Sequence, residues 1–174
     1  MTKYAATPTG VESFFGEEEI IVSKTDIKGR ITYANDVFVR VSQYPRQALL
    51  GAAHSIVRHP DMPRCAFKLL WDTILAGNEI FAYVLNMAKS GDHYWVFAHV
   101  TPSYDAAHNM IGFHSSRRKP DAAQVEKVKP IYQALLAEEN KYADRKEGME
   151  RAFAMLVGVL HEQKMDYDEF VFTI

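Results

Sequence analysis

The residues of this chain that could turn over a substrate are scattered rather than paired. Glu17-Glu-Glu19 and the Glu138–Glu139 pair are the carboxylate runs, and runs of this kind read as solvated charge. Cys65 is the single cysteine and stands in no nucleophile motif, so it reads as a small buried apolar residue. No Gly-x-Gly-x-x-Gly cradles a phosphate, and His54, His93, His99, His108 and His161 lack metal-ligand spacing. Nothing here points to an enzyme. The concentrated chemistry is instead Arg58, His59 and Asp61, followed by Phe67 and Trp71, with Asn86 and His114 further on. Taken alone, Arg58 and Asp61 suit a loop ion pair worth about 0–1 kcal/mol. Phe67 and Trp71 fall on one helical stripe and read as core. His59 reads as a loop residue, and Asn86 as a strand amide satisfying a neighbouring backbone group. His114 reads as a strand histidine bonded to a carbonyl, or as a haem ligand.

These side chains must be positioned by short elements. Ile20–Thr25 and Arg30–Tyr33 read as a hairpin around Asp26-Ile-Lys-Gly29, where glycine supplies the positive φ of a tight turn. Asn35 or Asp36 can cap a short helix carrying Val37, Phe38 and Val41, and Pro45 can open another that Gly51 ends. Pro63 starts a helix with Phe67, Leu70, Trp71 and Ile74 on one face, and Gly77 closes it. Three strands follow, about Glu79–Ala88, His93–Tyr104 and Met110–Arg117. An isolated hairpin is marginal in water, so the early pair must join these three in one sheet. From Asp121 the spacing turns helical, with Pro130 kinking or restarting the first stretch and Met149, Ala152, Phe153, Leu156, Val159 and Leu160 forming a second stripe. Residues 166–174 are expected to dock as an extended segment, and Phe14 and Phe15 to tuck against the body behind a flexible start.

The class is α+β: a five-stranded antiparallel sheet with short helices on one face and a C-terminal helical extension. Three regions follow, a cap over residues 1–18, the sheet domain over 19–119 and the extension over 120–174. With 48% hydrophobic and 24% charged residues in 174, the composition is that of a globular protein. A net charge of −2 offers no basic surplus for nucleic acid. No apolar run approaches the ~20 residues of a membrane span, and the start lacks an apolar core before a cleavage site. The expected location is the cytoplasm, with any membrane association made through a partner.

Gly29-Arg-Ile-Thr-Tyr-Ala-Asn35, Val57-Arg-His-Pro-Asp-Met-Pro63 and Ser90-Gly-Asp-His-Tyr-Trp-Val96 resemble the PAS domain of bacterial aerotaxis (energy-taxis) receptors. The likeness covers about Glu19 to Lys119. That family binds FAD non-covalently and reports redox state to a chemotaxis signalling domain. The resemblance therefore implies a flavin pocket containing Asn35, Arg58, His59, Asp61, Phe67 and Trp71. Arg58 would meet the pyrophosphate, because a planar, permanently charged fork suits it. Trp71 would offer a ring face, and Asn86 would meet the pyrimidine edge of the isoalloxazine. His114 falls where light-sensing flavin domains of this fold carry a glutamine near the reactive edge, and a histidine there titrates near neutrality. Ile80, Ala82 and Leu85 stand where aerotaxis-type domains commonly carry tryptophan, glycine and lysine. Haem or a small metabolite is the alternative ligand, with His114 or His59 as the haem residue. A cofactor-free interaction module is the third reading.

Strand alternation sets the faces. If Asn86 faces the pocket, Val84, Ala82, Ile80, Val96 and Ala98 face it too. Phe81, Tyr83, Leu85, Trp95, Phe97 and His99 then form an apolar outer face that must be covered. The C-terminal helices, Phe14 and Phe15, a second copy in a homodimer, or a partner are the candidate covers. The expected partner is a membrane-bound methyl-accepting chemotaxis transducer, reached through that outer face.

Overall fold

The computed structural model describes residues 6–174. Strands β1 (Ile21–Asp26) and β2 (Ile31–Ala34) close on a turn that Asp26 organises. Its Oδ1 accepts from the amides of Lys28 (2.8 Å) and Arg30 (2.9 Å), while its carbonyl accepts from Gly29. Gly29 has φ +74°, and a Cβ there would stand 2.8 Å from the Trp71 ring, so the turn and the indole pack only with glycine between them. Asn35 joins β2 to helix α1 (Asp36–Ser42). Its Oδ1 accepts from the Phe38 and Val22 amides, and its Nδ2 donates to the Ile20 carbonyl. One amide thus caps α1 and ties it to β1.

Helix α2 (Arg46–Leu49), a 3-10 turn (His54–Val57) and helix α3 (Arg64–Leu75) follow, with Pro63 leading into α3 and Gly77, at φ +87°, just beyond its end. Strands β3 (Ile80–Met87), β4 (His93–Tyr104) and β5 (Met110–Arg118) form a meander. The sheet order is β2-β1-β5-β4-β3, all neighbours antiparallel, and β5 pairs with β1 from Ile21↔Arg117 to Asp26↔Gly112. The early hairpin is thereby merged with the meander. Phe38, Val41, Leu49, Val57 and Ile74 are buried with Val96 and Ala98, each larger side chain contributing about 1.5–3 kcal/mol.

The extension continues the same packing. Helix α4 (Ala122–Glu139) begins with a reciprocal Asp121–Gln124 cap and runs unbroken through Pro130; α5 (Arg145–Glu162) and α6 (Tyr167–Thr173) follow. Residues 167–173 are helical, not extended. Tyr167, Phe170, Val171 and Ile174 recur at helical spacing and pack inward. Helices α4 and α6 cover the outer face of β3 and β4: Tyr83 and Val128 are buried against Val171, and Tyr132 Oη donates to the Tyr83 carbonyl at 2.5 Å. The apolar outer face expected to meet a partner is therefore occupied there by the chain's own helices. Helix α5 closes a second core with α3 and α4 from Cys65, Leu135, Ala152, Leu156 and Leu160.

Two more expectations are corrected. Glu139 is 1% exposed rather than solvated: its carboxylate accepts from Arg64 Nε and the Cys65 amide, both at 2.8 Å, at the start of α3. Phe15 is buried edge-on to Tyr94, but Phe14 is 67% exposed, with Lys119 Nζ 4.3 Å over its ring. The segment before them runs along the β3–β4 turn, with the Thr9 amide donating to Gly91 and the Ser13 amide to His93. The first part of the expected flexible start, residues 1–5, lies outside the described residues.

Candidate functional site

The helices α1 to α3 do not close fully on the sheet. Between α3 and the inner face lies a cavity of about 550 Å³, within the range of small-molecule and cofactor sites. Its apolar wall is Phe67, Leu70, Trp71, Ile74, Val84, Val100 and Phe113, with Trp71 and Phe113 edge-to-face at 5.5 Å. Its charged groups are Lys28, Arg58, Arg64, Lys68 and Arg117, of which Arg64 is paired with Glu139 and Lys68 with Asp72, and among the described residues no carboxylate lines it. A cavity so charged suits an anionic ligand with a flat apolar part.

Four of the residues singled out from sequence come together here: Arg58, Phe67, Trp71 and Asn86. The Arg58 guanidinium lies 4.2 Å over the Phe67 ring, and its backbone bridges to Asn86. Asn86 is 3% exposed, and its side-chain amide makes no hydrogen bond among the described residues. A buried amide without a protein partner is costly unless something in the cavity meets it.

The other four lie elsewhere. Asn35 is spent on the β1–α1 junction. His59 is buried below the loop, where its Nδ1 accepts from the Asp61 amide at 3.1 Å and burial holds its imidazole below the ordinary value. The Asp61 carboxylate is exposed, 3.8 Å from that ring. His114 stands opposite Lys24 and Thr101 on the outer face, because Phe113 and Ser115 on either side of it line the cavity. Burial, then Lys24 and His99, hold its imidazole low. Neither histidine considered for haem reaches the cavity. Ile80 and Ala82 are buried and Leu85 faces outward, so none of the three departures from the aerotaxis pattern lines the cavity.

Sequence reasoning missed the polar end of the cavity. Arg117 is 2% exposed; its Nη2 donates to Ser23 Oγ at 2.5 Å, its Nη1 lies 3.4 Å from His54 Nε2, and its guanidinium rests 4.5 Å over Phe38. Burial, reinforced by Arg117, lowers His54 to about 3, so its ring is a neutral acceptor. The available signal was alternation: Phe113, Ser115 and Arg117 share one face of β5. Cys65, pushed up to about 12 by burial and then by Glu139, is an inert thiol.

A family model described as the PAS fold matches residues 20–115. The chain belongs to the PAS family. Over 121 residues this PAS chain is 40% identical to the aerotaxis receptor of Escherichia coli (strain K12), an alignment covering 70% of the chain and 24% of the receptor. It is 29% identical over 86 residues to the nitrogen fixation regulatory protein of Klebsiella pneumoniae, covering 49% of the chain and 17% of that protein. The chain therefore spans about a quarter or less of the length of these relatives. Among solved structures, a light-oxygen-voltage domain studied with a flavin analogue superposes with TM-score 0.56 at 19% identity, covering 71% of this chain and 87% of that one. The light-state dimer of the fungal blue-light photoreceptor Vivid gives 0.53 at 18%, covering 63% and 83%. At such identities these two share the PAS fold.

The residues present fit a flavin nucleotide. Phe67 and Trp71 supply apolar ring surface to the wall, Asn86 supplies an amide, and the cations suit phosphate. Haem fits poorly, because the wall histidine, His54, is already engaged with Ser23 and Arg117.

Proposed function

We propose that this PAS module holds FAD non-covalently and passes the flavin's redox state to a membrane-bound methyl-accepting chemotaxis transducer. The observation carrying this reading is the cavity wall itself, where aromatic rings, the Asn86 amide and the cations Arg58 and Arg117 face one space with no carboxylate among its described lining residues. Bound FAD supplies reversible electron transfer that alters charge and hydrogen bonding at its ring. In this reading Arg58, its planar guanidinium supported on Phe67, holds phosphate oxygens. Asn86 meets the ring's polar edge and Trp71 packs on its apolar body.

The output follows from what touches the cavity. Met149 of α5 and Arg64 of α3 both line it, and Arg64 is held by Glu139 of α4. A ligand-dependent shift of α3 is therefore felt by α4 and α5, which lets a partner read two packings of the helices. The 40% identity to the aerotaxis receptor supports a chemotaxis transducer as that partner. Among the described residues no helix is long and apolar enough to cross a membrane, so in this reading the membrane belongs to the partner.

An absorption spectrum of freshly purified protein tests the ligand. Bands near about 450 nm, with FAD released on heating, are the expected result. Protein that stays colourless when flavin is supplied during expression would overturn it and leave a metabolite sensor or a docking module. Capture of a methyl-accepting transducer from cell membranes is the expected partner result, and its absence counts against that step.

A further inference from the structure

Helix α5 is apolar on both sides through its middle. From Ala152 to Leu160 it carries no charged or polar side chain, yet only Ala152, Leu156 and Leu160 of that run are buried in the second core. Met155, Val157 and Val159 remain 39%, 47% and 38% exposed. A helix that is apolar all round is ordinarily covered on both faces. Gly158 lies among the exposed residues, and a glycine inside a helix is destabilising relative to alanine. Gly148 has an internal reason to be glycine, since a Cβ there would meet the Glu139 carbonyl, but at Gly158 a Cβ would meet nothing within 4 Å. The fold of this chain does not require that glycine. A bare backbone on an exposed helix face admits a close neighbour.

The charges at the two ends of the stretch say what that neighbour is. Arg151, Met155, Gly158 and Glu162 recur at spacings of four, three and four residues, the seam along which two helices pack. The Arg151 side chain is 61% exposed, and Glu162 is exposed as well. We propose that this face of α5 is the contact between two copies of the chain, packed antiparallel about a two-fold axis passing midway between Met155 and Gly158. That one axis sets Arg151 of each copy against Glu162 of the other, Met155 over Gly158, and Ala154 against Val159. The flexible methionine fills the space the glycine leaves. A parallel pairing would instead oppose Arg151 to Arg151 and Glu162 to Glu162. Lys146, Glu147, Glu150, Arg151 and Glu162 mix both signs, so the helix lacks the basic face that seeks anionic lipid. One pair of 18-residue helices is a small contact, and the expected dissociation constant is on the order of 10 μM. The interface does not depend on what occupies the cavity.

Sedimentation velocity of the whole chain from about 1 to about 200 μM should show monomer passing to dimer. Gly158→Glu is expected to weaken the dimer about tenfold or more, while melting near the wild-type temperature in dilute solution, because its Cβ enters open space. Arg151→Glu and Glu162→Arg are each expected to weaken it about fivefold, and the double variant to restore it, since the swap re-forms both pairs. A chain that stays monomeric throughout overturns the proposal, as does a dimer that Gly158→Glu leaves unchanged. If that variant does not fold, the charge reversals at the two exposed positions decide alone. A double variant that fails to recover overturns the antiparallel seam.

Discussion

Glu139→Ala should loosen the C-terminal helices from the cavity wall, and the size of the effect follows from what the carboxylate holds. Glu139 is 1% exposed at the end of α4 and accepts from the Cys65 amide and from Arg64 Nε, each at 2.8 Å. The Cys65 amide is an open donor in the first turn of α3, where a negative charge is favoured by the helix dipole. Hydrogen bonds to charged groups contribute about 1.5–3 kcal/mol each, and removing one partner of a buried pair costs about 3–5 kcal/mol. Arg64 keeps a 19% exposed side chain and can recover some hydration, so the lower end, about 3 kcal/mol, is expected. For a chain of this size that lowers Tm by about 6–12 °C. Glu139→Gln retains an acceptor for the Cys65 amide but loses the charge, and should cost about half as much. Thermal and urea melts of the three proteins measure this, with hydrogen exchange over α3 and α4 locating it. A loss under about 1 kcal/mol in the alanine variant would refute the reasoning, because it would mean the carboxylate is not holding both donors.

Gly29→Ala combines a left-handed backbone at φ +74° with a Cβ 2.8 Å from Trp71, so it should cost about 1–3 kcal/mol and shift the Trp71 fluorescence. An unchanged emission and melt would refute the packing. Gly148→Ala places a Cβ 2.2 Å from the Glu139 carbonyl, forcing α4 and α5 apart at a cost of about 1–3 kcal/mol, readable in a urea melt. His54 stays neutral in the fold down to about 3, while the unfolded chain protonates it near its ordinary 6.5. The unfolded state thus binds more protons between those values, and the contribution present above 6.5 is lost as pH falls toward 3, at up to about 1.4 kcal/mol per pH unit. His54→Gln should flatten that slope in melts between pH 7 and 5, although His59 and His114, also held low, leave a residual dependence.

Local chemistry made much of this protein readable from sequence. Asp26 and Gly29 specify the first turn, Pro63 and Gly77 bracket α3, and alternation along β3 and β4 separates the Val84–Asn86 face from Phe81 and Tyr83, because these signals act within a few residues. The run from Val57 to Pro63 carried the family resemblance for the same reason. What tertiary structure decided depends on distant partners. Glu139 is solvated or buried according to whether Arg64 and the Cys65 amide stand opposite, and those lie some seventy residues earlier. Arg117 acquires its setting from Ser23 and His54, which only the β1–β5 pairing and the 3-10 turn deliver. His114 falls on the outer face because the register of β5 puts Phe113 and Ser115 in the cavity, a choice of parity that neighbouring strands settle rather than the residue itself.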